Sequence, residues 1–369
     1  MTRPQKEERD RDKTSSRRKV GKIIVFIFLG LLAAILLVGC IYIYKCAHYW
    51  QPSYRATIKA GFEEKQVTLP DGSVINYAEG PNNGEVLLLI HGQTGAWESY
   101  TSVLPELSKN WHVFAVDCYG HGKSTHNASK YYLNKNGDDL IWFVDNIIGG
   151  KTVVSGHSSG GLLAAYIAAY GGKNITGAVL EDPPVFSTEP DYFQKSFAYV
   201  DTYKVMHEYG QSDKAACWEA YYLRHCYWGQ LYMAGSMPGL AKYAQTYSEK
   251  HPGRAVRFFF MPQSINQTFQ FVNAYDLAFG EHFYDYTWHA GIGHEKLMSD
   301  IPVPTVFLHA KDQYSPDGIL MAASSDEQAR RAVELIRNCR LVELKSSHLI
   351  HWYHPNVFIG AVNSLAASE

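Results

Sequence analysis

The sequence predicts an α/β protein: a mainly parallel sheet flanked by helices, with an inserted helical cap and one N-terminal membrane-length helix. Short Val-, Leu- and Ile-rich runs ending at Gly or a charged residue recur with helical segments between them, which is the alternation of a parallel sheet. One such run feeds the sharp corner Gly156-His157-Ser158-Ser159-Gly160, and a small-residue helix leaves it. Near the start, Ile23 to Tyr44 carries no charge.

Residues 1–22 are polar and rich in Arg and Lys, with no apolar cluster to fold around, and are expected to be a disordered cytoplasmic tail. At about 1.5 Å per residue the helix 23–44 reaches roughly 33 Å, against a hydrocarbon core of about 30 Å. It has no polar stripe of the kind a buried soluble helix shows. The basic excess on its N-terminal side predicts a signal-anchor, with the tail in the cytoplasm and the rest of the chain outside it. A lipobox-like Leu37-Val38-Gly39-Cys40 offers a competing form, a lipoprotein anchored at Cys40.

After a linker over 45–61, the first part of the core is expected over 62–185. Gln66–Leu69 and Val74–Ala78 flank Pro70-Asp71-Gly72 and read as an antiparallel hairpin. Strands follow over Glu85–Ile90, His112–Val116, Thr152–Val154 and Gly177–Leu180, with helices over Asp138–Ile148 and Gly160–Ala169. The segment 186–299 breaks the alternation, is dense in Tyr, Phe and Trp, and reads as the cap, its aromatics divided between packing and substrate lining. The core resumes over 300–369 with strands Thr305–His309 and Leu341–Leu344 and, between them, a helix opened by a capping box at Ser325 and Gln328.

With 369 residues and a formal net charge of -2, the chain can bury one large core or two modest ones and has no field to draw in nucleic acid. Cys217 and Cys226 are candidates for a disulfide or two free thiols, and no cysteine has metal-ligand spacing. Asn127, Asn174 and Asn266 head formal glycosylation sequons.

A serine on a strand-to-helix corner needs a base within reach and a carboxylate to orient that base. Ser158 is the expected nucleophile and His348, after the last strand, the base. Asp312, after Thr305–His309, is the preferred acid, with Asp317 in the same loop and Asp182 at the end of the strand before the cap as rivals. His351 and His354 follow His348 at spacings of three but have no acidic or cysteine companions in sequence, so no metal is expected. The oxyanion donors are expected to be the backbone N–H groups of Ser159 and Gln93.

His91-Gly92-Gln93-Thr94-Gly95, Asp117 to Ser124, the serine corner, Lys311-Asp312 and the Ser347-His348 stretch ending in His354-Pro355 together resemble motifs of the α/β-hydrolase superfamily. The resemblance covers about residue 62 to the C-terminus, the cap excepted. It implies a cofactor-free hydrolase of esterase or lipase type, acting on a small-molecule or lipid ester, with amide or carbon–carbon bond cleavage and a non-catalytic binding protein as alternatives. The serine separates the chain from epoxide hydrolases and haloalkane dehalogenases, which resemble it but use aspartate. Ser159 stands where many members carry a larger residue. Substrate identity and oligomeric state stay open.

Overall fold

The computed structural model describes residues 3–366, with side chains from Lys19 onward. It comprises two compact units, one of Met1–Tyr49 with Phe258–Asn266 and the other of Trp50–Arg257 with Gln267–Glu369.

The first unit is dominated by helix α1 (Arg3–Ala47). Within it Lys19–Ala47 is long and apolar enough to cross a membrane, with a mean hydropathy of 3.1, and none of its apolar window is buried. The helix starts at Arg3, so the expectation of a disordered tail over 1–22 is not met for residues 3–22. Lys, Arg, Glu and Gln are good helix formers, and a helix already nucleated by the apolar run extends back through them at little cost.

The second unit is built on eight strands: β1 (Glu63–Thr68), β2 (Val74–Glu79), β3 (Glu85–Ile90), β4 (Trp111–Val116), β5 (Thr152–His157), β6 (Ile175–Glu181), β7 (Thr305–Ala310) and β8 (Cys339–Leu344). Their spatial order is β1-β2-β4-β3-β5-β6-β7-β8. β1 and β2 form the expected hairpin and β2 runs antiparallel to β4; the remaining pairs are parallel. Alternation along the central strands serves two cores. Leu88, Ile90, Val154 and Leu180 pack on one face, while Leu87, Leu89, Val153 and Val179 pack on the other with Trp97, Tyr100 and Phe358.

After β3 the chain pairs β4 on one side and then crosses to place β5 on the other. Such a reversal opens a crevice at the carboxyl ends of the strands, the usual ligand position in sheets of this type. Ile90 is in register with Gly156, and His157 with Glu181, so the segments leaving β3, β5 and β6 converge there.

The helices follow from the same pattern. α2 (Leu133–Phe143) continues as a π turn over Val144–Ile148, and Gly149 ends it at a φ of 70°. α3 (Ser159–Tyr170) is buried for most of its length, which its Gly, Ala, Leu and Ile content permits. Between β6 and β7 the named elements of the described residues are all helices, including α4 (Lys204–Gln211) and α5 (Trp218–His225). Phe193, Tyr203, Phe279, Phe283 and Trp288 of this insertion are buried in the larger core cluster, so these aromatics serve packing. α6 (Asp326–Leu335) opens with the capping box: Gln328 N donates to Ser325 Oγ and Ser325 N to Gln328 Oε1.

Cys217 and Cys226 are both free. They flank α5, so about nine residues of helical rise, roughly 13 Å, separate them, far beyond disulfide reach.

Candidate active site

Ser158 joins β5 to α3 with a φ of 55° and ψ of -124°, a conformation that costs a non-glycine residue about 1–3 kcal/mol. The surrounding glycines make this corner possible. A Cβ on Gly156 would lie 1.9 Å from the Gly160 carbonyl oxygen, and one on Gly160 would lie 2.4 Å from that of Ile90. The corner is pinned to the neighbouring strand where Ser158 N donates to Glu181 O at 2.9 Å.

His348 is brought to this corner. Its ring lies against that of His157 with centroids 4.4 Å apart, and the His157 ring nitrogen Nε2 donates to the His348 carbonyl at 3.0 Å. Among the described residues neither Ser158 Oγ nor His348 Nε2 has a hydrogen-bond partner, so the serine–histidine bond is not closed. Catalytic pairs often tighten only around substrate.

The acid differs from the preferred one. His348 Nδ1 donates to Asp182 Oδ2 at 2.7 Å, and Asp182, itself at a φ of 44°, is fully buried at the end of β6. Asp312 is turned elsewhere: its Oδ2 accepts from Asp326 N and its own N donates to Asp326 Oδ1, both at 3.0 Å, capping the start of α6. Asp317 bonds Ser315 and Tyr227. The assignment of Asp312 as partner of His348 is therefore corrected to Asp182. The physical reason is that Asp312 is engaged with Asp326 at the start of α6, whereas Asp182 directly follows β6, the strand paired with the one that leads into Ser158. His309 Nδ1 stands 3.3 Å from Asp182 Oδ1 without hydrogen-bond alignment, and its Nε2 donates to Asp326 Oδ1 at 2.9 Å. Asp326 thus touches both Asp312 and His309, and His309 lies beside the carboxylate that His348 bonds.

Burial alone would raise the Asp182 carboxyl, but its contacts with His309 and His348 outweigh it and hold the group below the ordinary aspartate value. Burial would likewise lower His309, yet Asp182 and Asp326 on either side raise it instead.

Neither Gln93 N nor Ser159 N donates to a protein acceptor among the described residues. A Cβ on Gly92 would come within 2.8 Å of Ser158 Cβ, so glycine there is what lets the loop after β3 close on the serine. The loop is braced by imidazoles: His91 Nδ1 donates to Gly92 O, and Thr94 N donates to His121 Nε2. Asp117 holds the next turn through Trp97 N, Lys123 N and Asn76 Nδ2. The Gln93 side chain points away from this work, donating to Tyr275 OH at 2.8 Å.

Sequence reasoning missed the buried pair below the site. His351 donates through both its backbone N, at 2.7 Å, and its ring Nδ1, at 2.9 Å, to Glu181, while its Nε2 faces the Ser99 carbonyl. Glu181 thereby anchors the turn that carries His348, and Asp182 beside it holds the ring. The available signal was the acidic tandem Glu181-Asp182 closing a strand buried throughout except at Thr176, since such charges require partners.

The profile of the alpha/beta hydrolase family matches residues 87–361. A putative 2-succinyl-6-hydroxy-2,4-cyclohexadiene-1-carboxylate synthase of Bacillus subtilis (strain 168) is 32% identical over 120 residues, 31% of this chain and 43% of that protein. Lipase 3 of Moraxella sp. (strain TA144) is 29% identical over 168 residues, 38% of this chain and 52% of the lipase. The chain thus spans about half the length of these relatives. Among solved structures, a bacterial membrane phospholipase A superposes with a TM-score of 0.58 at 19% identity, covering 92% of this chain and 97% of that one, a likeness of fold.

Proposed function

The chain belongs to the alpha/beta hydrolase family, and from that premise we propose that it is a serine hydrolase that cleaves an ester through an acyl-enzyme, held to a membrane by α1. The observation that carries the reading is the strained Ser158 corner facing a His348–Asp182 pair. His348 takes the Ser158 proton as the hydroxyl attacks the ester carbonyl. Asp182 fixes the tautomer that leaves Nε2 free to accept that proton, and it stabilises the imidazolium that results. The Gln93 and Ser159 amides hold the oxyanion, and α3 presents its positive dipole end to it. The alcohol leaves with the proton from His348, and water then attacks the acyl-enzyme by the same steps.

An ester is favoured over an amide because relatives with matching segments include Lipase 3 of Moraxella. Anchoring is favoured because the helix runs without interruption through Cys40 to Ala47, past the lipobox cleavage point, and the basic residues before it orient the body away from the cytoplasm.

A fluorophosphonate tests the reading. Wild-type protein in detergent should be labelled at Ser158, and Ser158→Ala should not; a folded wild type that stays unlabelled refutes it. Turnover of aminoacyl-amides with none of p-nitrophenyl esters would move the activity to amide hydrolysis.

A further inference from the structure

In the first unit, Tyr42 of α1 donates through its hydroxyl to the carbonyl of Phe260 at 3.4 Å. Tyr42 lies about 3 Å of helical rise before Tyr44, where the charge-free run ends. Aromatic hydroxyls at the end of an apolar span mark the headgroup level of a bilayer. The contact therefore sets Phe260 at that level on a helix proposed above to cross the membrane.

The segment itself has the properties that depth demands. Residues 258–266, Phe-Phe-Phe-Met-Pro-Gln-Ser-Ile-Asn, carry no charge. Phe259 and Phe260 are 46% and 39% exposed, and Ile41, Tyr42, Ile43 and Tyr44 of α1 are exposed as well. Backbone polar groups entering an apolar phase must be satisfied internally. Here the buried Asn266 supplies that: its Oδ1 accepts from Phe258 N at 2.7 Å, and its Nδ2 donates to Phe258 O at 2.9 Å and Met261 O at 3.2 Å, while Met261 N donates to Phe258 O at 3.0 Å. The sequon asparagine is thus the clasp of an aromatic turn, its amide nitrogen already engaged.

We propose that Phe258–Met261 is a second membrane contact, a turn that seats Phe259 and Phe260 at the boundary between headgroups and acyl chains of the phospholipid bilayer crossed by α1. The proposal rests on the anchor reading and extends it. The chain is held at two places, its span and a turn of the insertion between β6 and β7, so the bilayer constrains that insertion as well as the N-terminus.

The test is photocrosslinking of the full chain in phosphatidylcholine nanodiscs, with p-benzoylphenylalanine replacing Phe260, Ile35 of the span or Tyr170 at the end of α3, each variant first shown to melt like wild type. Phosphatidylcholine adducts, read by mass spectrometry, are expected at Phe260 at a yield comparable with Ile35. They should exceed the Tyr170 background by roughly tenfold or more, the ratio that about 1.4 kcal/mol of preference for lipid produces. Adducts at Ile35 with only background at Phe260 overturn the second contact and leave the anchor standing. Background at both positions overturns the anchor and the proposal together.

Discussion

Replacing Asp182 by Asn separates the acid in contact with His348 from the one its loop position favoured. The Asp182–His348 bond is 2.7 Å long and made by a fully buried carboxylate. An amide there can present its NH2 to Nδ1, which moves the ring proton to Nε2 and leaves no base facing Ser158. Loss of the triad acid with geometry kept costs about 10⁴ in kcat, or about 5 kcal/mol of barrier. Asp312→Asn keeps an oxygen that can accept from Asp326 N at the start of α6, so it should cost little stability and leave turnover within a few-fold. The assay is p-nitrophenyl ester hydrolysis with fluorophosphonate labelling rates, run beside thermal melts because Asp182→Asn also deprives His309 of a counter-charge. If folded Asp312→Asn loses as much activity as Asp182→Asn, or if folded Asp182→Asn keeps its rate, the assignment is wrong.

Further outcomes follow from the same contacts. Gly92→Ala puts a Cβ within 2.8 Å of Ser158 Cβ, so fluorophosphonate labelling should collapse while the sheet still folds; unchanged labelling counts against this placement of the oxyanion loop. His309→Gln removes an imidazole that Asp182 and Asp326 hold above the ordinary histidine value, so its stability deficit in urea melts should be full below about pH 6.5 and shrink as pH rises; a deficit that does not change with pH argues against that pairing. Burial, aided by Asp117, pushes Glu98 from 4.5 up to about 7. Its raised folded value makes a stability contribution that is full below the unfolded pKa and lost as pH rises through about 7. Glu98→Gln should therefore abolish a fall of up to about 3 kcal/mol in unfolding free energy between about pH 5 and about pH 8, measured by urea melts. Gln93→Ala keeps the backbone donor but breaks the bond to Tyr275 OH, so turnover of a small ester should change little; a loss of about 10²-fold would mean the side chain sets the loop.

Much of this molecule was legible because its signals are local. The Val- and Leu-rich strands, the Asp-Gly hairpin, the capping box at Ser325 and the Gly-x-Ser-x-Gly corner each depend on residues a few positions apart, and each forms where its pattern lies. Ser158 at positive φ is the extreme case, since the glycines that permit its strain sit two residues to either side.

The basic stretch before the span misled for the opposite reason. Its composition resists forming a core, but a helix nucleated by neighbouring residues needs none.

By itself, then, the sequence determined the layered architecture, the sharp corner at Ser158 and an N-terminal helix of membrane length, because chain order and periodicity carry that information. Only the tertiary structure decided which carboxylate reaches His348. Asp182 directly follows β6 and Asp312 lies two residues past β7, adjacent parallel strands, and His348 bonds Asp182 while Asp312 is engaged with Asp326. That is a matter of packing across strands far apart in the chain, which spacing along the sequence does not encode.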